Sequence, residues 1–131
     1  KSRHGLIGGF YDRIKRGLEP QLFGGRQQND FVYILDCVQA NYLALTAKWD
    51  CWNNVFNVGS GETLSAESAG KDICDVLGYA GEIDIKPQRT VDAEKFCFDI
   101  TKIKNMLKYE PKFSFKQGLE DMVSKGWKCK M

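Results

Sequence analysis

Residues 29–45 read NDFVYILDCVQANYLAL. Phe31 to Ile34 are aromatic and β-branched, which suits a pleated, half-buried backbone and predicts a strand. Asp30 opens that run. Asp36 follows it and is expected to cap a helix in which Val38, Tyr42 and Leu45 share one face. Two acids flanking a strand fit two roles. They could be paired catalytic carboxylates, or polar punctuation that fixes the backbone. Either way the stretch sets a strand-to-helix order around which the rest of the chain can be laid out.

Upstream, Leu6, Phe10 and Ile14 fall on one helical face, with Ile7, Tyr11 and Leu18 widening it. Arg13, Lys15 and Arg16 occupy the last turn, where cations suit the helix dipole, and Gly17 and Pro20 stop the helix. QLF (21–23) is a short strand and GGRQQN (24–29) a loop. Downstream, NVFNV (54–58) reads as a buried strand and GSGETL (59–64) as a turn. Ser65 is expected to cap a helix to Leu77, with Ala66, Ala69, Ile73 and Val76 inward and Gly78 ending it. Gly70 inside that helix costs about 1 kcal/mol relative to Ala. EIDIK (82–86) alternates as a half-exposed strand. Asp99 caps a short helix with Ile103, Met106 and Leu107 on its apolar side, and Pro111 forbids its continuation. Ser114 and Gln117 have capping-box spacing for a last helix carrying Leu119, Met122 and Val123. The expected fold is α+β, about five helices with several short strands, in one domain over residues 1–131.

The chain of 131 residues is 43% hydrophobic and 27% charged, with a net charge of +2. That balance fits a soluble globular domain and is too mild to argue for nucleic acid or an anionic membrane. No apolar run approaches the roughly 18 residues of a membrane span, and no signal peptide is expected. The five cysteines, Cys37, Cys51, Cys74, Cys97 and Cys129, have no C-x-x-C spacing, and His4 is the only histidine. This argues against a zinc site and for reduced thiols in a cytoplasm.

Three segments imitate catalytic motifs. YDRIK (11–15) puts a phenol and an ammonium four residues apart on one helical face, where the cation could lower the phenol pKa. Lys15 also has a plain role at a helix C-terminus. HGLIGGF (4–10) approximates a glycine-rich phosphate loop but lacks a preceding strand. VFNVGSGETLSAES (55–68), with Glu82 further on, imitates a dinucleotide-binding strand, turn and helix. Its third glycine position is Leu64, and an ordinary tight turn explains it as well.

Read in order, FYDRIKRGLEPQLFG (10–24), DFVYILDCVQANYLAL (30–45), VFNVGSGETLS (55–65) and QRTVDAEKFCFDITKIKNMLKYEPKFSFKQGLEDMV (88–123) resemble one family. It is the C-terminal, substrate-binding part of the NAD-dependent sugar-nucleotide epimerases and dehydratases, the extended short-chain dehydrogenase/reductases. The resemblance runs from roughly residue 6 to 123 and rests on the order and spacing of the pieces together. It implies that NAD and the catalytic Tyr-x-x-x-Lys belong to an N-terminal Rossmann half. This chain is then expected to hold no catalytic residue and no cofactor, and the YDRIK and GSG segments to lie away from the chemistry. The implied ligand is a nucleotide-diphosphate sugar gripped by two arginines. Arg89 and Asp92 match one grip. The other arginine position is Asn29, and Arg26, three residues earlier, is its candidate substitute. Tyr33 matches the family strand. The implied state is a homo-oligomer or a pairing with a separate Rossmann half. A module that reuses the fold for interaction, without a ligand, is the alternative.

Overall fold

The computed structural model describes residues 5–88 and 93–126. Helix α1 (Leu6–Lys15) leads into β1 (Gln21–Phe23), β2 (Gln28–Asn29) and α2 (Ile34–Leu45). A 3-10 turn over Trp49–Cys51 precedes β3 (Leu64–Ser65), α3 (Ala66–Val76) and β4 (Asp84–Lys86). The described residues end with β5 (Lys95–Phe96), α4 (Thr101–Leu107) and α5 (Phe115–Ser124). The fold is thus α+β, five helices with a few short strands.

Local chemistry explains most element ends. The Ser65 hydroxyl accepts the N–H of Ser68, a side-chain cap for α3. Ser114 and Gln117 form a reciprocal capping box at the start of α5. Gly17 and Gly78 follow α1 and α3 at φ +69° and +68°, a left-handed conformation that glycine adopts without steric cost. Gly70 is present in α3 because the ring of Phe10 packs on it. A Cβ there would meet that ring at 3.1 Å.

The strands form two small sheets. β1 and β4 pair in parallel, Gln21 opposite Asp84. β2 lies between antiparallel β3 and parallel β5, with Asn29 opposite Leu64 and Phe96. Two apolar clusters hold the elements. One joins Phe10, Leu22, Ala66, Ile73 and Leu119 from α1, β1, α3 and α5. The other joins Ala40, Ile100, Ile103, Leu107 and Tyr109 around α2 and α4. Ile73 is 0% exposed, so trimming it to Ala should cost about 2–5 kcal/mol.

Three expectations need correction. Phe31 to Ile34 do not form a strand: the strand is Gln28–Asn29, and Ile34 already starts α2. Two-residue β2 is defined by neighbours from distant sequence, which local propensity does not see. Asp36 does not cap α2, whose N-cap is Tyr33. It sits in the first turn, 1% exposed, and accepts the backbone N–H of Lys112 at 2.9 Å and of Phe113 at 3.2 Å. NVFNV (54–58) is not a strand either. Its burial alternates, with Val55 85% exposed, but no backbone–backbone hydrogen bond involves residues 53–58 among the described residues. The shared face of Val38, Tyr42 and Leu45 points outward, at 55%, 64% and 83% exposure. The buried side of α2 is instead Asp36 and Ala40.

Candidate functional site

Asp30 organises the region around β2. Its carboxylate accepts the Ser60 N–H at 2.8 Å, the Ser60 hydroxyl at 2.6 Å, the Gly61 N–H at 3.1 Å and the Phe98 N–H at 3.3 Å. Four donors occupy both oxygens, so Asp30 clamps the turn after residue 58 and the segment after β5 onto the end of β2. Of the two roles open to Asp30 and Asp36, backbone fixation is what their contacts support. The carboxylates serve separate segments, 59–61 with 98 for Asp30 and 112–113 for Asp36.

The same clamp answers the glycine-turn question. The Ser60 and Gly61 amides, which a dinucleotide pyrophosphate would need, already donate to a carboxylate. Residues 59–61 therefore do not fit a bound NAD. HGLIGGF is no loop where it is described: Gly5 is the N-cap of α1, and Gly8 and Gly9 lie inside the helix. In YDRIK the Lys15 ammonium stands over the Tyr11 ring, 5.7 Å from its centroid.

Beside the clamp lies a cavity of about 670 Å³ between α1, β1 and β2. Its wall carries Arg13, Gln21, Phe23, Gln27, Asn29 and Asp30, with Ala93 closing one side. Polar groups on an apolar base suit a ligand with both kinds of surface. Gln27 shapes one end. Its Oε1 accepts the Gly25 N–H at 2.6 Å while its Nε2 donates to the Phe23 carbonyl. That holds Gly24 and Gly25 at φ +80° and +137°.

The sequence-derived site residues do not all meet there. Asn29 lines the cavity. Arg26 is exposed and lies off that wall; the Glu67 carboxyl on α3 is held low first by Lys71 and only last by Arg26. Tyr33 lines a separate, largely apolar hollow with Phe31, Val32, Phe115 and Met122. Its hydroxyl donates to the Asp121 carboxylate, and that bond pushes its pKa up to about 12. Asp121 is held low in turn, first by Lys125 at 2.7 Å and then by Tyr33. Arg89 and Asp92 lie outside the described residues. Arg13 and Gln27 are on the wall although sequence reading gave them no site role. Arg13 had a sufficient explanation in the helix dipole, and only the turn over 16–20 brings β1 beside it.

Comparison with known proteins supplies the class: a C-terminal portion of the epimerase/dehydratase enzymes. Residues 4–122 match the family model described as GDP-mannose 4,6 dehydratase, and the chain belongs to that family. A candidate UDP-glucose 4-epimerase of Methanocaldococcus jannaschii is 30% identical over 95% of this chain and 39% of its own length. The crystal structure of UDP-glucose 4-epimerase with UDP-glucose from Thermotoga maritima superposes with a TM-score of 0.82. It is 35% identical, and the match covers 95% of this chain and 41% of that one. UDP-glucuronic acid 4-epimerase from Bacillus cereus, in complex with NAD, gives 0.76 at 25% identity over 95% of this chain and 40% of that one. The chain thus spans about two fifths of the length of the curated relatives it matches. No helix among the described residues is long and apolar enough to cross a membrane.

Proposed function

We propose that this chain is the nucleotide-sugar-binding portion of an NAD-dependent sugar-nucleotide epimerase or dehydratase, with no catalytic residue and no cofactor site of its own. One observation carries the reading: the cavity is built on β2, with Asn29 on its wall. Asn29 stands where the family resemblance expects a diphosphate-gripping arginine. Arg89, with Asp92 beside it in sequence, supplies the other grip. Residues 1–131 act as one domain. In an intact relative NAD transiently oxidises a sugar carbon and returns the hydride, and the groups that do this belong to the Rossmann half. Isothermal calorimetry with UDP-, GDP- and dTDP-sugars tests the reading. It expects binding that Arg89→Ala abolishes. No heat with any of them at millimolar concentration refutes it.

A second reading, an interaction module, is favoured by the outward apolar face of α2 and the unpaired extended segment beside it. Exposed apolar surface of this extent is ordinarily covered. The occupant is a separate cofactor-binding half or a second copy of the chain. Sedimentation that shows monomer at all concentrations, alone and mixed with such a half, counts against it. Both readings place the chain in a cytoplasm.

A further inference from the structure

We infer that Arg13 holds the ligand's diphosphate in the cavity, in place of the arginine that Asn29 lacks. The inference rests on the nucleotide-sugar reading and extends it to a residue that the family pattern does not assign. Arg13 is the one cation on the cavity wall among the described residues. It is half-buried, and its Nε donates to the Glu19 carbonyl, which fixes the plane of the guanidinium. The terminal nitrogens keep their donors: among the described residues no carboxylate forms an ion pair with Arg13.

The nearby acids do not compete for it. Asp30 is saturated by its four donors. Asp84 feels the Arg13 charge but is satisfied first by Lys86 at 2.9 Å and by Gln21 at 2.9 Å. A half-buried guanidinium with free in-plane donors is matched to phosphate oxygens, which it binds bidentately. Arg26, the candidate from sequence spacing, is exposed and lies off this wall.

The test compares calorimetric affinities for UDP, uridine and UDP-glucuronate in the full chain and its variants. Arg13→Gln should weaken UDP about tenfold or more, the loss of one charge-assisted contact, and leave uridine unchanged. Arg13→Lys should recover part of the loss, because charge returns without the planar fork. Lys15→Gln removes the same charge from the same helix and should change nothing. A thermal melt of Arg13→Gln that matches wild type shows that the loss is not unfolding.

UDP binding equal to wild type in Arg13→Gln overturns the assignment alone. So does a loss confined to UDP-glucuronate, which would place Arg13 at a sugar carboxylate. So does a loss in Arg26→Gln without one in Arg13→Gln. No UDP binding in wild type overturns the nucleotide reading as well.

Discussion

The Asp36 carboxylate accepts the backbone N–H of Lys112 at 2.9 Å, which ties the first turn of α2 to the residues just before α5. The same group holds Phe113, and Asp36 is 1% exposed. Asp36→Ala would leave two part-buried amides without their acceptor. At roughly 1–3 kcal/mol for each unsatisfied donor, the variant should lose about 2–6 kcal/mol. Asp36→Asn keeps one acceptor oxygen and should lose less. Urea titration followed by circular dichroism orders the three proteins. Equal midpoints would show that the carboxylate is dispensable.

Gly118→Ala tests packing against propensity. Alanine in a helix is favoured over glycine by about 1 kcal/mol. Yet a Cβ at Gly118 would stand 2.8 Å from the Tyr33 ring, which the bond to Asp121 anchors. Overpacking of this kind costs about 1–3 kcal/mol. We expect a lower melting temperature than wild type, and a rise would mean that the ring moves freely.

Alkaline pH should destabilise the protein over a defined window. Tyr33, through its bond to Asp121, and Tyr109, through burial, are both raised from 10.0 to about 12. The folded state then holds protons that the unfolded state gives up. The stability this contributes is whole below pH 10 and is lost as pH rises through about 12. Tyr33→Phe should flatten that part of the profile, read as melting temperature against pH. An unchanged slope would remove Tyr33 from the account.

The outward face of α2 yields a prediction about association. Val38→Glu with Leu45→Glu changes two side chains that are 55% and 83% exposed, so thermal stability should shift by less than roughly 0.5 kcal/mol per site. If a second copy or a cofactor-binding half covers the face, the pair should abolish that association in sedimentation. Association at wild-type strength would move the interface elsewhere.

What was legible in the sequence depended on how far each signal reaches. Ser65 and the Ser114–Gln117 pair announce α3 and α5 because a cap acts within three residues. Ile103 and Leu107 mark the buried side of α4 by helical spacing alone. Asp36 was misread because its partners lie 76 and 77 residues away. The shared face of Val38, Tyr42 and Leu45 on α2 points outward, because a hydrophobic pattern says that a face wants burial, not that this stretch of chain supplies the cover. Asn29 was singled out by resemblance, and it does line the cavity. Arg13 was not, since its place on the wall depends on the turn that follows α1.

The unpaired segment beside α2 has a consequence for handling the protein. From Cys51 to Gly61 no residue carries a charge, and the middle of that run is Val-Phe-Asn-Val. A neutral, β-prone stretch without backbone–backbone hydrogen bonds over residues 53–58 among the described residues is a template on which identical chains can stack into a cross-β ladder. A partner that covered residues 54–58 would also guard against aggregation. A charge placed at exposed Val55 would serve the same purpose in a purified sample.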